Sequence, residues 1–135
     1  MIKKFLDASF VLSVQVADDA NHSKAVRYWK TIAVDVPPLI TTSFVVDEVA
    51  TYLNSRGAHK TAIDVAGDLM SNEDIECVFV DRELFDNGWM IFQRHKDKRY
   101  SLTDCISFAL MKQRKMTFAL TFDKHFLQAG FSILP

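Results

Sequence analysis

Asp7, Glu48, Asp104 and Asp123 are the side chains whose type and spacing in this sequence point to chemistry. Asp7 stands in Phe-Leu-Asp-Ala-Ser, Glu48 in Val-Val-Asp-Glu-Val, Asp104 in Ser-Leu-Thr-Asp-Cys and Asp123 in Leu-Thr-Phe-Asp-Lys. Each falls where an apolar run stops or a helical period starts. If those runs are parallel strands, acids far apart in sequence meet along one sheet edge. Unpaired carboxylates ~4 Å apart repel by roughly 4 kcal/mol per pair at an effective dielectric near 20. A fold that gathers them therefore calls for a cation. Hard divalent ions such as Mg²⁺ or Mn²⁺ take oxygen ligands, often a few carboxylates plus water. The expected chemistry is metal-dependent. No His or Cys spacing suits zinc, and His22, His59, His95 and His125 read as ordinary surface histidines.

The elements that must position these acids follow from periodicity and stop signals. Ile2 to Leu6 reads as a strand ending at Asp7, with a helix from about Ser9. A second helix covers Asn21 to Ala33, with Ala25, Tyr28, Trp29 and Ile32 on one face, and Pro37-Pro38 stops it. Leu39 to Thr41 is a brief strand. Thr42 or Ser43 caps the next helix, which carries the stripe Val45, Val49, Leu53 and ends at Gly57. Helices follow at Lys60 to Met70, at Arg82 to His95 with Leu84, Phe85, Trp89 and Phe92 inward, and at Ser101 to Arg114. Strands are expected at Ile75 to Val80, Thr117 to Thr121 and Phe131 to Leu134, with a short helix at Lys124 to Ala129. Strands alternating with helices predict an α/β fold of three layers, a central mostly parallel sheet with helices on both faces. Such sheets bind ligands beyond the carboxyl ends of their strands.

Taken singly, each acid has a structural explanation. Asp7 and Asp123 could cap helices, Ser101-Leu-Thr-Asp104 matches a capping box, and Glu48 could be a solvated helix residue. Jointly they are harder to dismiss. The buried stripe expected on the Ser101 helix is Leu102, Ile106, Ala109 and Leu110. Asp104 falls off it, free to face the sheet edge. Helical angles do not choose between Asp47 and Glu48, since both border the apolar stripe.

The bulk numbers set bounds. A chain of 135 residues that is 49% hydrophobic fits one domain, 1–135, with one core burying roughly two-thirds of its unfolded surface. A net charge of −1 excludes a polycation, so any nucleic-acid contact must come from a local patch. Arg94-His-Lys96-Asp-Lys98-Arg99-Tyr is the main basic segment, with an aromatic available for stacking. Arg56, His59 and Lys60 form a weaker cluster. Cys77 and Cys105 lie in apolar segments without ligand spacing and read as reduced buried thiols, which suits a cytoplasmic protein. Asp7 interrupts the only apolar stretch near the start, so neither a signal peptide nor a membrane span is expected.

The same motifs carry a family resemblance over nearly the whole chain. The sequence resembles a PIN domain, most closely a VapC-type toxin ribonuclease. Asp7-Ala-Ser9 is similar to that family's N-terminal Asp-x-Ser/Thr motif, with Ala8 in a place often held by Thr. Glu48 stands where the family has its helical glutamate, which favours it over Asp47. Tyr100-Ser-Leu-Thr-Asp104-Cys-Ile-Ser resembles the third motif, and Ala119-Leu-Thr-Phe-Asp123-Lys-His-Phe through Phe131 the fourth.

The resemblance implies hydrolysis of RNA phosphodiester bonds by an endoribonuclease using Mg²⁺ or Mn²⁺. Asp7, Asp104 and Asp123 are the main ligands, and Glu48 is a ligand or water-orienting base. Ser9 and Thr103 are candidate hydroxyls supporting an acid or a phosphate. Arg94, Lys96, Lys98 and Arg99 are candidates for RNA contact. The resemblance also implies a homodimer and a cognate antitoxin, with exposed-looking Val26, Trp29 and Val34 as candidate contacts. The competing readings are a metal-dependent DNA nuclease, a non-catalytic module on the same fold, and a receiver-like α/β domain. The last lacks a convincing downstream strand-end lysine.

Overall fold

The structure, a computed structural model, describes residues 1–135. The elements in chain order are β1 (Lys4–Leu6), α1 (Ala8–Gln15), α2 (His22–Ile32), β2 (Leu39–Thr42), α3 (Ser43–Ser55), α4 (His59–Ser71), β3 (Ile75–Val78), α5 (Arg82–Arg94), α6 (Leu102–Gln113), β4 (Phe118–Leu120), α7 (Lys124–Gln128) and β5 (Ser132–Leu134). All five strands pair in parallel, in the order β3-β2-β1-β4-β5. The central strand β1 pairs Phe5 with Ile40 of β2 on one side and with Ala119 of β4 on the other. The chain winds outward from β1 to β3, then crosses back to β4. The strand order reverses between β1 and β4, and a crevice opens there at the carboxyl edge of open α/β sheets. Asp7 directly follows β1, and Asp123 follows β4 by three residues.

Helices α1 to α4 pack among themselves, and α5 to α7 form a second group. Burial follows from this layering. Every residue of β2 is buried, as are Phe5, Leu6, Ala119 and Leu120, whereas edge strands β3 and β5 stay partly open. Four phenylalanines lock the layers: Phe5, Phe10, Phe108 and Phe126 are at most 2% exposed. Each such ring contributes about 1.5–3 kcal/mol by burial. Phe126 of α7 meets Phe108 of α6 edge-on at 5.0 Å and lies 6.0 Å from Phe5 of β1. This fixes the starts of α6 and α7 against the end of β1, and those three points carry the aspartates.

Local signals place the ends of α3 as expected. Thr42 Oγ1 accepts from Val45 N at 3.2 Å, and Gly57 follows the helix at φ +77°, a left-handed conformation that glycine adopts without strain.

Two expectations are corrected. Helix α6 is not a one-stripe helix: Asp104 through Met111 are all buried, and Leu102 is only half-buried. It is clamped between the sheet and α5, so nearly every face meets protein. On α5, Leu84 is buried and Phe85 and Ile91 pack on the core, but Trp89 and Phe92 are 43% and 40% exposed instead of inward. The seam turns on Gly88. A Cβ there would lie 2.5 Å from Ile106 Cγ1 and 2.9 Å from Ile106 Cα, so α5 meets α6 there too closely for a side chain, and Trp89 and Phe92 fall together outside the seam. Gly88→Ala is expected to destabilise the fold by about 1–3 kcal/mol through overpacking, although alanine is the better helix former by about 1 kcal/mol. Urea denaturation compares the two.

Candidate active site

Asp7, Glu48, Asp104 and Asp123 line one cavity of ≈340 Å³, together with Ser9, Ser101, Arg99 and His125. Four elements deliver the acids: the end of β1, the second turn of α3, the first turn of α6 and the residue before α7.

The capping and pocket roles coexist because a carboxylate has two oxygens. Asp7 sits at the N-cap position of α1 but does not cap it. Its Oδ2 accepts from Thr121 Oγ1 at 2.7 Å and Ser9 Oγ at 2.9 Å. Asp104 completes a capping box, its Oδ2 accepting from Ser101 N at 3.2 Å. The same oxygen lies 3.0 Å from His125 Nδ1, which donates, since a carboxylate can only accept. Asp123 caps α7 through Oδ1, which accepts from His125 N at 2.8 Å. In each aspartate the second oxygen takes no hydrogen bond from the protein. No buried side-chain polar atom lacks a partner, so these free oxygens open onto the cavity.

Electrostatics report the crowding. Burial, followed by the charges of Asp104 and Asp123, pushes Asp7 up to about 6 against the pull of the Thr121 and Ser9 hydroxyls. Burial also raises Asp104, with Asp123 adding to it, while His125 and the Ser101 amide pull back. Glu48 is exposed at the pocket mouth. Partial desolvation there, then the charges of Asp7, Asp104, Asp123 and Asp47, push it up to about 7. One cation among these oxygens relieves the mutual repulsion of the cavity's carboxylates. The donor set therefore fits a hard divalent ion among the cavity's carboxylates, with Asp7 and Glu48 lining the cavity outside the tightest group of ligand atoms. Ligand atoms of Asp104, Asp123 and His125 lie within 4.8 Å of one another, so the imidazole is a further donor at the site.

Not every sequence candidate is brought in. Thr103 stands next to Asp104 but about 100° around the helix. Its hydroxyl bonds nothing, and only its carbonyl is used, by Ser107 Oγ. Of the basic candidates, Arg99 lines the acid cavity, Lys96 and Lys98 line a neighbouring groove, and Arg94 lines neither. Tyr100, expected to be available for stacking, is 7% exposed and packs edge-on against Phe108. Arg56 of the weaker cluster is paired with Asp18 at 3.0 Å.

Two site residues escape the sequence reading. His125 was expected on the surface, but Asp123 capping turns its amide and ring back onto the acids. Fully buried Thr121 donates to Asp7 and accepts from Asp123 N at 2.9 Å, tying β1 to the β4 turn. Thr121→Val keeps the volume but leaves that amide unpaired. It is expected to cost about 1–3 kcal/mol of stability and about 10–100-fold in metal affinity or activity. Mg²⁺ titrations followed by melting, with cleavage assays alongside, check both.

The chain is similar to known proteins over nearly its whole length. A family profile for the PIN domain matches residues 4–132. The chain belongs to the PIN-domain family. It is 34% identical over 127 residues, 94% of each chain, to the 23S rRNA-specific endonuclease VapC20 of Mycobacterium tuberculosis. The crystal structure of that protein, described as a sarcin–ricin loop cleaving toxin, superposes with a TM-score of 0.85 at 32% identity, covering 94% of this chain and 95% of that one. A toxin–antitoxin complex from Klebsiella pneumoniae (TM-score 0.63, 11% identity, 98% and 96% covered) and FitAcB from Neisseria gonorrhoeae (0.69, 14%, 100% and 97%) share the fold. The α/β three-layer PIN architecture expected from the sequence is the one found, with a sheet that is parallel throughout.

Proposed function

We propose that this PIN-domain protein is an endoribonuclease that uses Mg²⁺ or Mn²⁺ and acts in the cytoplasm as the toxin of a toxin–antitoxin pair. The observation that carries the catalytic part is the set of three aspartates in one cavity, each keeping one carboxylate oxygen free of the protein. A bound divalent ion supplies charge stabilisation at the phosphoryl oxygens and makes water a stronger nucleophile. The chain's own residues do the rest. Asp7, Asp104 and Asp123 hold the ion. Thr121 and Ser9 fix Asp7, and the Ser101 amide and His125 fix Asp104. Glu48, raised to about 7 and open to solvent, is placed to accept a proton from an attacking water near neutral pH. Arg99 at the cavity wall offsets repulsion between the acids and the RNA backbone.

The identity with VapC20 supports ribosomal RNA as the first substrate to test, and the toxin description of that relative supports an antitoxin partner. No helix is long and apolar enough to cross a membrane. The test is a parallel digest of ribosomal RNA, unstructured RNA and single- and double-stranded DNA, with EDTA, Mg²⁺ or Mn²⁺. Cleavage of RNA alone, dependent on the ion, is expected. Cleavage of DNA at equal rates would replace the reading with a general nuclease, and no cleavage under any condition would leave a binding module. Light scattering is expected to show a homodimer, and induction without an antitoxin is expected to slow growth.

A further inference from the structure

We propose that the groove beside the acid cavity is a subsite that stacks an unpaired RNA base next to the scissile phosphate. This rests on the ribonuclease reading above and adds a residue-level account of how a single-stranded or looped nucleotide is held.

The groove measures ≈420 Å³, within the roughly 300–1,000 Å³ typical of small-molecule sites. Its apolar side is Trp89 and Phe92, stacked on each other with centroids 5.6 Å apart and planes 16° from parallel. Helix α5 packs through Leu84, Gly88 and Ile91, so these two rings lie outside the core, stacked on each other and each about two-fifths exposed. Aromatic rings displayed this way accept any base by stacking, provided that the base has left its own helix. The other side is Lys96 and Lys98, neither of which forms an ion pair.

Charge selects the occupant. Arg94 to Arg99 holds four Lys or Arg side chains and one acid, all exposed. A second copy docked through this face would set the same patch against itself, since a two-fold contact repeats one surface on both subunits. The cations would then repel. A polyanion with aromatic bases complements both halves of the groove. Position points the same way. Tyr100 forms the wall between groove and active site, its ring 5.7 Å from His95 on one side and 5.4 Å from His125 on the other. Arg99, adjacent in sequence to Lys98, lines the acid cavity. A backbone with one phosphate at the acids can therefore continue past Arg99 and lay its neighbouring base on Trp89 or Phe92.

The experiment measures binding of the full chain, in EDTA to prevent cleavage, to two labelled single strands of equal length. One is a mixed-sequence oligoribonucleotide and the other its abasic ribose-phosphate analogue. The native chain is expected to prefer the base-bearing strand by roughly 5- to 150-fold, the range of one stacked base. Trp89→Ala/Phe92→Ala should erase that preference while binding the abasic strand as before, and Trp89→Phe should restore most of it. Lys96→Ala/Lys98→Ala should weaken both strands alike and reduce the slope of log K against log salt by about 0.7 per lost contact. Melting curves confirm that each variant is folded. Equal binding of both strands by the native chain, or an unchanged preference in the double aromatic variant, would overturn the subsite. So would conversion of a dimer to a monomer by that variant with RNA affinity intact, which would give the face to a second copy. RNA cleavage by the native chain in Mg²⁺ is measured in parallel. Cleavage without base preference removes the subsite alone, whereas neither binding nor cleavage removes the ribonuclease reading with it.

Discussion

Asp104→Asn is expected to lower metal-dependent RNA cleavage by roughly two to four powers of ten, because the charge stabilisation that the ion supplies is worth several kcal/mol. The amide keeps the carboxylate's shape. Its oxygen can still accept from Ser101 N, so the capping box loses little. What disappears is the negative charge on the oxygen that opens to the cavity, together with the charged acceptor for His125. The same substitution should leave the metal-free fold as stable as the native one, or more so. Burial and the Asp123 charge hold the native Asp104 carboxyl above its ordinary range, which means the folded state disfavours its ionised form. A purely structural aspartate gives the opposite signs: a loss of about 0.5–2 kcal/mol and no change in cleavage. Melting in EDTA and cleavage in Mg²⁺, measured on the same sample, separate the two. A variant that melts lower yet cleaves at the native rate would confine Asp104 to capping.

The acids were legible in the sequence because strand ends and helix starts are legible, and a parallel sheet puts all of them on one edge. The apolar run before Asp7, the capping box at Ser101 and the helix cap at Asp123 are local signals, and the fold kept each of them. Asp104 and Asp123 also show that a capping role leaves a carboxylate oxygen available to the cavity. One oxygen serves the helix and the other the cavity. His125 and Thr121 were not legible, since their roles come from contacts made across the sheet. Thr121 reaches a residue 114 positions away. No periodicity carries that. The outward turn of Trp89 and Phe92 had a different cause. Hydrophobic spacing on α5 fits them equally well in the core, and only the close approach of Gly88 to Ile106 decides the seam. A glycine inside a predicted helix, followed directly by Trp89 and Met90, was the available signal. Within the site, Glu48 over Asp47 was settled by family pattern; in the structure Glu48 lines the cavity, while Asp47 accepts from Thr51 on the helix surface.

Without metal, the protein is expected to lose stability as pH rises from about 4 to 7, and Mg²⁺ should reverse that loss. The sign follows from the direction of the shifts. A carboxyl whose pKa is raised in the fold holds a proton that the unfolded chain has already released. Between the unfolded and folded values the native state binds more protons, so stability falls as pH rises, reaching its floor above the folded value. Asp7 moves from 3.8 to about 6 and Glu48 from 4.5 to about 7, and Asp104 moves the same way. Asp7 is 4% exposed, and its shift alone corresponds to about 3 kcal/mol. Exposed Glu48 is screened by water and adds to the direction only. A salt-bridged aspartate, with its pKa depressed, gives the reverse slope, so the two cases cannot be confused. The ion binds only the deprotonated cluster and so competes with protons. At 100 times its dissociation constant it contributes about 2.7 kcal/mol to the folded state. Its effect on melting should be large near pH 7.5 and small near pH 5. Asp7→Asn removes the most buried of these carboxyls, so the slope in EDTA should become clearly shallower with it. Metal-free stability that stays flat or rises over the window in the native chain, or a slope unchanged in Asp7→Asn, would show that Asp7 is not held buried and unneutralised beside its neighbours, and would remove the electrostatic reason for a metal at this site.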